Sequence, residues 1–258
     1  MAMKLMNHPD WKQPHSNDWY NQLAQEAAAY SYDWSSTYSD RTGENLFDEQ
    51  ASLLVKDKDV LDIGCADGHF TERWSKTALR TVGIDASEAF IAIAKRKERA
   101  NLSFVKANSK ENLPNLNRPF QVGLIRKGPT SGYAILKHYL SSEGTFLGLH
   151  PGDQSGEELI TLFPNLFNER NQSEVKQKLQ VIEEELAFKS FHIDDVSCTE
   201  WLHTPVDVLK LACFGQKQTV LLAALEKELK NVAEIFNKHN TSEGLAITYS
   251  RYLVRGKV

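Results

Sequence analysis

The stretch from Val60 to His69 is apolar, carries a carboxylate at Asp62, and then breaks on Gly64 and Gly68 before a helical pattern begins. Glycines there permit positive φ and let a ligand approach bare backbone. A helix opening at His69 offers unpaired N–H groups in its first turn. Seventeen residues beyond Gly68 the chain reads Gly83-Ile84-Asp85. A carboxylate at that point can accept both hydroxyls of a ribose, as the acid closing the second strand does in dinucleotide folds. Two further sets of reactive side chains follow apolar runs. Arg126 and Lys127 follow Gln121–Ile125, and the arginine fork suits a carboxylate or phosphate on a substrate. His150 ends Thr145–Leu149 and, with an intrinsic pKa near ~6.5, is placed to act as a general base. The expected chemistry is that of a nucleotide-type ligand held at strand ends.

The elements that must position these residues alternate. Strands are expected at Asp59–Ile63, Thr81–Ile84, Leu102–Val105, Gln121–Ile125 and Thr145–Leu149. Between them fall helical patterns at His69–Lys76, after the cap residue Ser87, and at Thr130–Leu140. Short apolar strands separated by helices imply parallel pairing through right-handed crossovers. Before them lie an aromatic-rich segment with a helix through Leu23–Ala29 and a second helix at Glu44–Val55. After them come an amphipathic helix marked by Val175, Leu179, Ile182 and Leu186, an edge strand at Phe191–Trp201, and a helix capped at Thr204-Pro205. A long helix at Gln218–Lys238 and an alternating strand at Ala246–Val254 complete the chain. No repeat, low-complexity tract or linker divides it, so residues 1–258 read as one domain.

Composition narrows the function. A chain of 258 residues with formal net charge −4 has no global attraction to phosphate backbones. Cys65, Cys198 and Cys213 form no CxxC pair, and no histidine is spaced with them for zinc. An odd, scattered cysteine count points to a reducing compartment, and cytoplasmic localisation is expected. The opening MAMKLMNHPDWKQ has no apolar signal core, and no segment approaches the ~20 apolar residues of a membrane span.

Two cofactors suit a glycine turn followed by an acid. The dinucleotide fingerprint GxGxxG, started at Gly64, meets Ala66 and His69, so the third glycine is missing and NAD fits poorly. Asp62-x-Gly64-x-x-x-Gly68 instead resembles motif I of class I S-adenosylmethionine-dependent methyltransferases. The resemblance continues, in order, through GIDASEAFIAIAKRK at 83–97, FVKANSKENLP at 104–114, FQVGLIRKGPT at 120–130 and GTFLGLH at 144–150. The Arg-Lys-Gly-Pro run is similar to the Arg-Arg-Gly-Pro of a little-characterised bacterial group.

This resemblance implies an α/β, Rossmann-like, doubly wound seven-stranded sheet whose last strand, Ala246–Val254, is antiparallel. It also implies a helical N-terminal lid over 1–55, a cofactor-binding half over 56–150 and a substrate-side half over 151–258. S-adenosylmethionine is then the cofactor, with Asp62, Gly64, Cys65, Ala66 and Gly68 around its methionine part and the Asp62 carboxylate near the ammonium. Asp85 falls on the ribose, Ala86 beside the adenine, Asn108 or Ser109 at the adenine amino group, and Ile125 at the end of the fourth strand. Tyr32 or Trp34 is expected to cover the sulfonium, where a ring face favours a cation. Arg126 and Lys127 would bind the acceptor, and His150 would be catalytic; no metal is expected. Methyl transfer to a small-molecule oxygen or nitrogen is preferred. An rRNA or tRNA methyltransferase and a non-catalytic cofactor-binding regulator remain the alternatives, and oligomeric state stays open.

Overall fold

The structure, a computed structural model, describes residues 4–27, 32–108, 114–117, 119–167 and 175–258. In chain order the first elements are helix α1 (Asn17–Ala27), strand β1 (Ser36–Tyr38), helix α2 (Gly43–Leu54), strand β2 (Asp59–Ile63), helix α3 (His69–Ser75) and strand β3 (Arg80–Asp85). Helix α4 (Glu88–Ala94), strands β4 (Leu102–Lys106) and β5 (Phe120–Arg126), helix α5 (Gly132–Tyr139) and strand β6 (Leu140–Pro151) follow. The remainder is α6 (Glu157–Leu162), α7 (Val175–Leu186), β7 (Ser190–Leu202), α8 (Pro205–Ala212), α9 (Gln218–His239) and β8 (Leu245–Lys257).

The strands form one sheet in the order β1-β7-β8-β6-β5-β2-β3-β4. β2 to β6 pair in parallel, and β8 joins antiparallel to β6. The α/β architecture with an antiparallel last strand is thus as expected, with eight strands in place of seven. The addition is β1, three residues that pair Ser36 with Leu202 and Tyr38 with Glu200. It gives β7 a neighbour beyond Phe191–Trp201, which the sequence had placed at the edge. A three-residue strand has no readable periodicity; its partner's open backbone groups define it.

The chain divides into two compact units. The larger comprises Thr42–Asp153, Ser173–Val196 and Arg251–Val258. Here β2 is buried at every position, because helices cover both faces of the parallel sheet. One face packs Leu61, Ile63, Phe120, Ile125, Tyr133 and Phe146. The other packs Phe47, Val60, Trp74, Val122, Leu124 and Leu147. β2 and β5 are sheet neighbours, and the chain leaves β2 outward through β3 and β4 before returning to β5. This reversal of strand order opens a crevice at the carboxyl ends of β2 and β5, where open α/β sheets bind ligands.

β6 is longer than Thr145–Leu149, starting at Leu140 behind a register irregularity between Phe120 and Val122. Gln121 sits at the opposite end from the crevice: its Oε1 accepts the Asp59 N–H at 3.0 Å.

The smaller unit comprises Met1–Arg41, Gln154–Gln172 and Ser197–Ser250. Val220, Ala224, Val232 and Phe236 line the inner side of α9 and pack with Leu202, Val208, Leu209 and Phe163. Thr204 caps α8 by accepting from the Asp207 N–H, while Asp207 accepts from the Thr204 N–H, with Pro205 at the first helical position. Thr204→Ala should cost about 1 kcal/mol, read as an earlier urea midpoint; an unchanged midpoint would count against the reciprocal cap.

Candidate active site

At the crevice, β2 gives way to the loop 64–68. Gly64, Ala66 and Gly68 all take positive φ, at +78°, +46° and +76°. For Ala66 this left-handed conformation costs about 1 kcal/mol or more. Its N–H compensates by donating to Asp85 Oδ2 at 2.9 Å, while Asp85 Oδ1 accepts the Ser87 N–H at 2.8 Å. The carbonyl of Ile84 takes the N–H groups of both Gly64 and Cys65, at 2.7 and 3.1 Å. The ends of β2 and β3 are therefore laced together through backbone donors. Lys97, from the basic run after α4, donates to the Asp67 carbonyl at 2.6 Å, and Arg99 donates to Glu72 and Ser75. Those two cations support the loop and α3.

The two acids of the site behave alike. Asp62 is 2% exposed, and Thr71 Oγ1 donates to its Oδ2 at 2.6 Å. Burial raises its pKa to about 7; the Asp85 charge adds to this, and the Thr71 bond and Arg126 oppose it. Burial likewise raises Asp85, against the Ser87 and Ala66 N–H bonds. Two carboxylates whose charge is disfavoured by burial form a cradle suited to a cationic ligand, which would stabilise their ionised forms. Cys65 is buried and its thiol pushed well above the usual range, first by burial and then by Asp85 and Asp62, so it is an inert small residue. Ala86 follows Asp85 on the surface, Asn108 lies half-buried two residues past β4, and Ser109 falls outside the described residues.

Across the crevice the end of β5 is organised by α2. Arg126 grips Asp48 with two nitrogens, at 2.7 and 3.2 Å, and its guanidinium lies 3.6 Å from the centre of the Phe70 ring. Arg251 donates to Glu44 at 3.0 Å. Lys127 holds φ +59° and donates its N–H to the Leu149 carbonyl at 2.8 Å. Burial lowers its ammonium to about 8, with Glu44 opposing. Gly128 then presses on β2: a Cβ there would lie 2.6 Å from the Ile63 carbonyl oxygen and 3.0 Å from Ile125 Cγ2. Ile125 itself is fully buried.

His150 is 1% exposed, with the Tyr133 hydroxyl 2.9 Å from its Nε2, and burial pushes its pKa down to about 4. Tyr32 and Trp34 belong to the smaller unit, where their rings stack at 4.5 Å and Trp34 Nε1 donates to the buried Glu200. Sequence reasoning missed Thr71, Asp48, Glu44 and Tyr133. Thr71 had a local signal, a hydroxyl in the first turn after the glycine loop. Asp48 stands 78 residues from Arg126 and had none.

The fold, and the glycine loop with its two acids, can be set beside known proteins. Residues 60–130, which carry that loop and both strand ends, match the family model described as a methyltransferase domain. No curated protein matches the chain. Among solved structures it is similar to a functionally unknown protein from Deinococcus radiodurans R1, 22% identical over 93% of this chain and 100% of that one, with TM-score 0.63. It is similar also to the YcgJ protein of Bacillus subtilis, 16% identical over 83% and 98%, with TM-score 0.55. A Bacillus halodurans C-125 protein proposed to be a methyltransferase gives 15% identity over 81% and 96%, with TM-score 0.53. These likenesses are of fold.

The Asp62 pKa of about 7 exceeds its ordinary 3.8, so between those values the folded chain binds more protons than the unfolded one. Stability contributed by this group is full below pH 3.8 and is lost as pH rises through 7. Asp62→Asn, which keeps an acceptor for Thr71, should therefore change the melting temperature little at pH 4 and raise it by a few degrees at pH 8. Equal shifts at both pH values would show that Asp62 is not held neutral by burial.

Proposed function

We propose that this chain transfers the methyl group of S-adenosylmethionine to an oxygen or nitrogen of a small molecule. The observation that carries the reading is the Asp85 carboxylate drawn against the glycine loop, with Ala66 and Ser87 N–H groups on its two oxygens. Each carboxylate oxygen has a further lone pair, and these are the acceptors assigned to the ribose hydroxyls. Asp62 lies one residue before the loop's base and is assigned to the ammonium. Asn108 is assigned to the adenine amino group; Ala66, Gly64, Cys65, Ala86 and Ile125 complete the walls.

The bound donor supplies an electrophilic methyl on a sulfonium. What the protein must add is position and dryness: an acceptor held in line, with water kept out. At the end of β5, Arg126 is committed to Asp48 and Phe70 and acts through them. Lys127 is the residue we keep on the acceptor side. Its ammonium, held down to about 8, can exchange a proton near neutrality. The net charge of −4 favours a small acceptor over a nucleic acid. Among the described residues no helix is long and apolar enough to cross a membrane.

Calorimetric titration with S-adenosylhomocysteine tests the donor site. Asp85→Ala should weaken binding about a hundredfold, the worth of two hydrogen bonds to a charged acceptor; unchanged affinity would end the assignment. Incubation of the enzyme with methyl-labelled donor and fractionated extract should label the metabolite fraction, and label confined to RNA or protein would overturn the acceptor class.

A further inference from the structure

The buried pair behind the β5 turn has a function that neither residue's position in the sequence suggests. Tyr133 and His150 are both shut off from solvent, and the phenol hydroxyl lies 2.9 Å from Nε2. Gly148 makes the approach possible: a Cβ there would lie 2.0 Å from the Tyr133 oxygen and 3.2 Å from His150 Nε2. The imidazole also bonds the Gly128 backbone, so the buried ring has partners both on α5 and in the turn after β5. Gly128 in turn abuts the β2 end, its Cα 3.0 Å from where a Gly64 Cβ would stand.

We propose that Tyr133 and His150 are positioning residues that fix the Gly128 turn against Ile63 and Gly64 and so set the width of the cofactor crevice. The link runs from α5 through the phenol to β6, and from the imidazole to the turn that flanks the glycine loop. Tyr133 is itself wedged edge-on between Phe146 and Phe191, with ring centres 5.6 and 5.4 Å away. The phenol thus has no freedom to follow a moving histidine. The geometry of the pair stands by itself; only its consequence for cofactor binding rests on the methyltransferase reading.

Hydrogen exchange on the free enzyme tests the pair without any donor, since the amides of Gly64 and Cys65 bond the Ile84 carbonyl and that of Gly68 bonds the Cys65 carbonyl. His150→Leu should speed exchange across 64–68 and 127–128 about tenfold while β4 holds its protection. His150→Asn, which retains an amide able to bond the Gly128 backbone, should stay within about threefold of the wild type. Tyr133→Phe should fall between them, and it decides the matter if the leucine variant does not fold. Unchanged loop exchange in the leucine and phenylalanine variants, equal acceleration in the leucine and asparagine variants, or acceleration spread through β4 as well would each overturn the proposal. So would a His150→Leu enzyme that binds S-adenosylhomocysteine and protects its loop like wild type yet has lost turnover, the signature of a base. Wild-type protein that fails to bind S-adenosylhomocysteine would count against the methyltransferase reading alone.

Discussion

The Asp85 carboxylate closes the site by bonding backwards, onto the N–H of Ala66 in the preceding loop, and forwards, onto the N–H of Ser87. That one group converts two separate strand ends into a single rigid corner. The left-handed Ala66 is tolerable because its N–H is engaged there, and α4 starts where it does because Ser87, oriented by Asp85, accepts the Phe90 N–H. The cost of this geometry is a carboxylate removed from water, and burial raises both Asp85 and its neighbour Asp62. In the proposed reading, two reluctant anions at one corner suit a donor that carries a sulfonium and an ammonium.

The opposite wall is built on a different principle. β5 and β8 are tied by long-range ion pairs to α2, with Arg126 at the end of β5 on Asp48 and Arg251 of β8 on Glu44. Partly buried pairs of this kind lose much of their Coulombic gain to desolvation, so their value lies in fixing geometry more than in stability. α2 can lie so close because Gly43 has no side chain: a Cβ there would stand 2.7 Å from Arg251 Cβ. One wall of the crevice is thus set by backbone hydrogen bonds and the other by side-chain pairs, with the Gly128 turn between them. The departure at Gln121 from the usual acid leaves this arrangement untouched, because that side chain serves the far end of β2.

Much of the parallel core was legible before any coordinates, because its determinants are local. β2 and β5 read as mostly apolar runs because they are largely buried on both faces, and Ser87 and Thr204-Pro205 announce helix starts through the chemistry of their own first turns. The three-residue β1 was not legible, since its existence depends on the backbone of β7. Nor was the length of β6, whose first residues are recruited by pairing with Phe120.

The sequence by itself determined the corner assigned to the ligand in the proposed reading: two glycines, an acid before them and an acid one strand later, with spacings dictated by the lengths of a helix and a strand. Only the tertiary structure decided what the nearby polar side chains do. Arg126 and His150 stand at strand ends, the expected place for substrate groups, yet one is claimed by Asp48 and Phe70 and the other is sealed in the core by Tyr133. Spacing along a chain specifies backbone turns, because those are set by neighbours in sequence. Burial and charge pairing are set by neighbours in space, and for these two residues those neighbours come from helices α2, α3 and α5, whose approach no local pattern records.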